Sequence, residues 1–205
     1  MRLLLLLALS ASLPASAAWK QLFNGKDTDG WKMTGPGRFV IEDGMLKTEG
    51  GMGLLTYTGA QFGDTTIRVV FKTASDRANS GVYIRMAEQP HDPWYGVHNG
   101  YEVQIDSGGD EWHCTGAIYS LSKVGKRNQK PKGEWNTMEI ILKGDLTTVK
   151  LNGQVVNAFK GDAQVPPRKM WYEPVRGPRP AKGYIGLQNH DKNSTIYFKE
   201  VSVKQ

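Results

Sequence analysis

Two short runs of strictly alternating residues hold the side chains best suited to chemistry. In Asn79-Ser80-Gly81-Val82-Tyr83-Ile84-Arg85, Val82 and Ile84 face one way and Tyr83 and Arg85 the other. In Gly100-Tyr101-Glu102-Val103-Gln104-Ile105-Asp106-Ser107, the apolar Tyr101, Val103 and Ile105 oppose Glu102, Gln104 and Asp106. Successive strand side chains point to opposite faces, so each run reads as a strand with one apolar face in a core. The opposite face carries an aromatic, a guanidinium, two carboxylates and an amide in neighbouring rows. A solvated sheet face favours Thr, Lys and Ser, so this selection suits the floor of a polar site, although exposed strands also carry Glu and Gln.

The spacing of the two carboxylates limits what they can do together. Glu102 and Asp106 are four positions apart on one strand face, about 13 Å between Cα atoms at roughly 3.3 Å per residue. Paired-carboxylate glycoside hydrolysis needs carboxyls about 5 Å apart for retention and up to about 9.5 Å for inversion. This pair fits neither mechanism. Near the C-terminus, Tyr184, Gly186, Gln188 and His190 share a parity opposite Ile185 and Leu187. That parity can bring His190 to the same surface as Glu102. The other histidines, His91, His98 and His113, form no tight local pair, so spacing alone names no metal site. A turn residue bonded to backbone explains His190 equally well.

The elements that must position these groups are short strands. Asp43-Gly44 between Phe39–Glu42 and Met45–Thr48, and Asn152-Gly153 between Leu151 and Gln154–Val156, are two-residue hairpin signals. Gly144-Asp145 separates Asn136–Lys143 from Thr147–Leu151. Leu54–Thr56, Thr65–Lys72, Ala117–Ser120, Gly183–Asn189 and Thr195–Val203 add further strands, and helical periodicity is nearly absent. Many short strands with Gly-rich turns predict an antiparallel sandwich or barrel. Trp19–Trp31, with its Asn24-Gly25 turn, reads as an arm tethered to the body by aromatics.

Three loops exceed what a sandwich requires. Met86–Asn99 carries Trp94, Ser107–Cys114 carries Trp112 and His113, and Gly161–Lys182 carries Trp171 and Tyr172. Long loops in compact domains are often functional, and exposed aromatics suit stacking on sugar rings; capping the sandwich ends is the competing explanation. Arg2, the run Leu3–Leu9 and Ala15-Ser16-Ala17-Ala18 follow the pattern of a secretory leader, with cleavage after Ala17 or Ala18. The expectation is a leader over 1–18, one domain over 19–205, and a periplasmic or secreted protein without a membrane anchor. The net charge of +6 gathers in the loops Lys123–Lys132 and Arg168–Lys182; export argues against a nucleic-acid partner. The single cysteine, Cys114, forms no intrachain disulfide and reads as a small buried hydrophobe.

Taken together, Leu22-Phe23-Asn24-Gly25-Lys26-Asp27 with Gly30-Trp31, Ser80–Arg85, Gly100–Asp106, Thr115-Gly116-Ala117-Ile118-Tyr119, Gly133-Glu134-Trp135-Asn136, Leu151-Asn152-Gly153 and Gly186-Leu187-Gln188-Asn189-His190 resemble the 3-keto-disaccharide hydrolase family in the order expected. The series covers essentially all of 19–205. That family usually has Gly after the histidine, where this chain has Asp191. The resemblance implies an all-β fold, a concanavalin A-like jelly-roll β-sandwich of two antiparallel sheets. It implies cleavage of glycosides already oxidised at C3. A ketone at C3 acidifies the C2 proton, a modest base removes it, and the C1 oxygen leaves by β-elimination, with or without rehydration.

Such a site needs a base, an electrophile at the C3 oxygen and a donor to the leaving group. Glu102 and His190 are the first candidates, either as direct acid and base or as ligands of a divalent cation. Arg85 is a candidate electrophile or hydroxyl clamp. Tyr83 and Tyr119 could donate or stack; Gln104, Asp106 and Gln188 could hold hydroxyls; Trp94 and Trp171 could stack on the sugar. Lys123 could protonate the leaving group, although a solvated loop position suits it as well. No organic cofactor is implied. A non-catalytic carbohydrate-binding module using the same face is the alternative.

Overall fold

The computed structural model describes residues 18–205; the expected leader, apart from Ala18, lies outside them. The described chain folds into two antiparallel sheets. The larger has the spatial order β11 (Gln154–Lys160), β10 (Leu146–Leu151), β9 (Asn136–Lys143), β6 (Thr65–Thr73), β13 (Ile196–Lys204), β4 (Met45–Glu49) and β3 (Arg38–Glu42), with β1 (Lys20–Gln21) also paired to β13. The smaller has the order β2 (Trp31–Thr34), β5 (Gly53–Phe62), β12 (Gly183–Asn189), β7 (Asn79–Met86) and β8 (Tyr101–Asp106). The short helix α1 (Tyr95–Asn99) lies between β7 and β8 in the chain. This is the expected jelly-roll-like sandwich.

The hairpins follow turn chemistry. Asp43 and Gly44 have φ of 51° and 75°, and Asn152 and Gly153 have 50° and 82°, the left-handed pair that a two-residue turn requires. The main core lies between the sheets and takes one alternate face of each strand, including Leu55, Val82, Ile84, Val103, Ile105, Ile185 and Leu187 from the smaller sheet. Each such side chain contributes about 1.5–3 kcal/mol when buried. Cys114 is buried and free. The N-terminal arm is tethered as expected: Trp31 Nε1 donates to Leu22 O at 2.8 Å, and its ring meets Tyr57 edge-on.

Two expectations change. Ala117–Ser120 forms no strand; Ile118 makes only isolated bridges to Val103 and Ser122. Gly116 at φ 93° and Ser120 at φ 56° turn the backbone on either side, so the segment follows the edge of β8 irregularly. Tyr119 N donates to Glu102 O and Gly116 N to Gln104 O, both at 3.0 Å. The alternation of β7 also breaks. Arg85 has φ 57°, and the β7–β12 register shifts between Tyr184 and Gly186. The bulge turns Arg85 away from the face that Tyr83 occupies.

Candidate functional site

The outer face of the smaller sheet is a small polar lattice. Tyr83 pairs with Glu102, Gly81 with Gln104, and Asn79 with Asp106. On the other side of β7, Gly186 pairs with Tyr83 and Leu187 with Val82, which sets Gln188 in the same row as Gly81. Gly81 is required here, because a Cβ at this position would run into Glu102 Oε1. Leu54, Tyr83, Met86, Tyr95 and Val97 form a second apolar cluster on this outer face. Gly96 of α1 packs against the Tyr83 ring, where an added Cβ would lie 2.9 Å from ring carbons.

Beside this cluster opens a cavity of about 230 Å³, lined by Met52, Asn79, Trp94, Val97, Glu102, Gln104, Tyr119, Tyr172, Gln188 and His190. Glu102 is the one carboxylic acid in this lining. That side chain is 5% exposed. Burial pushes its pKa up to about 8, against the pull of hydrogen bonds from Tyr83 and Gln188. At neutral pH the carboxyl therefore holds its proton and can donate. Burial, and then the Glu102 charge, raise the Tyr83 and Tyr119 phenols as well, so both are hydroxyl groups over the physiological range.

The amides at the floor are oriented by their outer partners. Asp106 Oδ1 accepts from Gly108 N at 2.7 Å and Gly109 N at 3.2 Å, and Oδ2 accepts from Asn79 Nδ2 at 3.4 Å. Asn79 Oδ1 in turn accepts from Gln104 Nε2 at 3.0 Å. Gln188 Nε2 donates to the Tyr83 hydroxyl. Each glutamine thus commits an amide N–H to the protein. Gln104 Oε1 and Gln188 Oε1 are left buried with no partner. Unmet buried acceptors are costly, and these two lie in the floor beneath the cavity lining.

His190 follows β12 directly and lines the cavity. Its Nδ1 lies 2.7 Å from Asp191 Oδ2. Asp191 Oδ1 accepts from Asn193 N at 2.6 Å, and its Oδ2 from Ser194 Oγ at 3.2 Å. Partial burial works against the Asp191 charge, but the bonds from His190 and Asn193 outweigh it and hold the carboxyl below its usual range. A His190 that donates from Nδ1 to this carboxylate keeps the Nε2 lone pair free.

The structure therefore brings Glu102, Gln104, Gln188, Tyr119, Trp94 and His190 to one cavity, with Tyr83 beneath them. Four expected residues lie elsewhere. Arg85 donates to Pro180 O at 3.2 Å, Ala181 O at 3.0 Å and Gly144 O at 2.6 Å, clamping backbone from two loops. Asp106 touches the ligand space only through Asn79 and Gln104. Lys123 is exposed and paired with Glu111 at 3.1 Å. Trp171 sits outside the cavity, with its ring centroid 4.8 Å from that of Trp94. Tyr172 joins the cavity as one of the loop aromatics suited to stacking, while Asn79, Met52 and Val97 were not anticipated. The parity of Asn79 with Gly81 and Tyr83 carried a signal for the first; the other two depend on which loops meet.

A family model for the 3-keto-α-glucoside-1,2-lyase-like domain matches residues 18–204. The chain belongs to this family. A Parabacteroides distasonis protein provisionally described as a glycosyl hydrolase is similar to the lyase-like domain at 25% identity and a TM-score of 0.75, over 91% of this chain and 93% of that one. The carbohydrate-binding module CBM66 from Bacillus subtilis shares the fold at 14% identity and a TM-score of 0.60, over 86% of this chain and 96% of that one. An endo-β-1,3(4)-glucanase of family GH16 does so at 14% identity and 0.59, over 95% and 93%. No curated protein matches the chain. Membership in the family places the lyase-like domain in carbohydrate chemistry.

Among the described residues of the lyase-like domain, no three His, Cys, Asp or Glu side chains lie close enough to hold a metal ion. Glu102 and His190 would supply two ligands to the expected divalent cation, where catalytic zinc sites use three protein ligands. A larger cavity of about 360 Å³ lies at the Asp106 end, lined by Asp76, Cys114, Arg127, Gln129 and Lys132 among others. There Lys132 is paired with Asp76 at 2.6 Å, and Asp106 is held by its turn.

Proposed function

We propose that this chain cleaves 3-keto-glycosides by removing the proton at C2 and eliminating the C1 substituent. The observation that carries the reading is one buried carboxyl, its pKa pushed up to about 8, sharing a ring-sized cavity with a histidine whose Nδ1 is held by Asp191. With Glu102 as the sole carboxyl of the cavity lining, the paired-carboxylate route to glycoside hydrolysis has no second member. A ketone changes the requirement: the site then needs a base, and a donor to the oxygen on which charge develops.

His190 Nε2 takes the C2 proton, and the electron pair of that bond enters the C2–C3 enolate. The protonated Glu102 donates to the C3 oxygen. Collapse of the enolate forms the C1–C2 double bond and breaks the C1–O bond. The leaving oxygen takes the proton back from His190. Water adding across the new double bond would convert elimination into net hydrolysis. No step requires a metal. Export by the leader would put this reaction outside the cytoplasm.

Deuterium at C2 tests the reading. Replacing that hydrogen in a 3-keto-disaccharide should slow release of the leaving sugar several-fold, and His190→Ala should abolish release while binding persists. No isotope effect, together with full activity of His190→Ala, would overturn it. The binding-module alternative draws on the aromatic mouth of the cavity; it requires that His190→Ala change neither binding nor any turnover.

A further inference from the structure

The cavity has room for one pyranose ring, so the second ring of a disaccharide, or the aglycone of a glycoside, must lie outside it. The surface that continues from its mouth is aromatic. Trp94 and Tyr172 line the cavity, and the Trp171 ring stands 4.8 Å from Trp94 and 5.7 Å from Tyr172 between centroids. Trp171 is 63% exposed, the most exposed large apolar side chain among the described residues. An indole left this open forgoes burial worth roughly 25 cal/mol per Å², and a contiguous apolar patch next to a cavity marks a binding surface.

The segment that presents Trp171 is not loosely held. Trp171 O lies 3.0 Å from His98 Nε2 and also accepts from Arg168 Nη2. Val175 N donates to His98 O at 3.3 Å. Arg179 Nη2 bridges His98 O and Val175 O at 3.0 and 2.6 Å. Arg176 binds Glu173 Oε2 at 2.7 Å and Pro166 O at 2.9 Å. An aromatic face fixed in advance loses little conformational freedom on binding.

We propose that Trp171, continuous with Trp94 and Tyr172, forms the subsite for the leaving group, and that it takes a flat ring with an apolar face, either a sugar or an aromatic aglycone. The subsite rests on the catalytic reading only for which ring occupies the cavity. Because the contact is made through the leaving group, it selects among glycosides that present the same 3-keto ring to Glu102 and His190.

The test compares wild type with Trp171→Ala on 3-keto-trehalose, 4-nitrophenyl 3-keto-glucoside and methyl 3-keto-glucoside. Loss of one aromatic stack should lower kcat/KM about five- to tenfold for the two ring-bearing leaving groups and less than about twofold for the methyl glycoside. A larger loss on the nitrophenyl substrate assigns the surface to aryl aglycones; a larger loss on the disaccharide assigns it to a sugar. Equal losses on all three, or none, overturn the subsite. Binding of the same ligands by calorimetry separates this from the chemistry. If no substrate turns over but the ring-bearing ligands bind more tightly than the methyl glycoside, and Trp171→Ala removes that difference, the subsite stands and the catalytic reading falls. Equal affinity of wild type for all three, or no binding, overturns the subsite.

Discussion

His190 Nδ1 and Asp191 Oδ2 are 2.7 Å apart, although the two residues are neighbours in the chain. The contact is possible because Asp191 is held by the turn that follows it, through Asn193 N and Ser194 Oγ. The imidazole is thereby oriented by a carboxylate that lies outside the cavity lining. Asp191→Asn keeps the shape and removes the charge. It should lower kcat about 10–100-fold, part of the roughly 10²–10⁴-fold that a positioned general base contributes, with KM changed less than about threefold, and Asp191→Glu should recover part of the loss. Steady-state kinetics on a 3-keto-disaccharide checks this. An unchanged kcat would mean that the contact only shapes the turn.

Glu102 makes two pH-dependent claims with one cause. Its folded pKa of about 8 lies above the ordinary carboxyl value of 4.5. Between these two values the unfolded chain has lost the proton while the folded chain keeps it, so stability falls as pH rises through this window. The full effect is a few kcal/mol above pH 8, since each tenfold difference in proton affinity between the two states is worth about 1.36 kcal/mol. Glu102→Gln should therefore melt higher than wild type at pH 8 and about equally at pH 4, as followed by circular dichroism. In the wild type, kcat/KM should fall above about pH 8 as the donor is lost. Glu102→Gln should lack that limb and turn over more slowly, since an amide donates less strongly than a carboxylic acid.

Arg85 illustrates what residue order concealed. Strand alternation puts it beside Tyr83 on the polar face, and that holds for Tyr83, Glu102, Gln104 and Gln188. A non-glycine residue at φ 57° carries no marker in the sequence, so the bulge that turns Arg85 aside could not be read. Ala117–Ser120 failed for a related reason, since positive φ at Gly116 and Ser120 ends what its apolar residues suggest. The Asp43-Gly44 and Asn152-Gly153 hairpins were legible because turn type and residue type are tied by sterics. Parity also placed His190 near Glu102. Its link to Asp191 was not legible, because adjacent residues usually point apart and only the turn folds them together. The meeting of Trp94 with Trp171 and Tyr172 joins loops more than seventy positions apart, a distance that local pattern does not span.

Arg85→Ala separates support from chemistry. It would leave the carbonyls of Gly144, Pro180 and Ala181 without their charged donor. A loss of roughly 2–4 kcal/mol in stability is expected, measured by urea unfolding. The protein that remains folded should keep kcat within about twofold. A large drop in kcat without a loss of stability would return Arg85 to the reaction.

The central claim is that a C3 ketone is what makes the bond cleavable here. The measurement that addresses it is sugar release by the purified protein from 3-keto-trehalose and from unoxidised trehalose under identical conditions. Release from the keto sugar alone, lost on His190→Ala, is the expected result. Equal release from both sugars would contradict it, because no enolate can form on trehalose and the single cavity carboxyl would then have to act by another route.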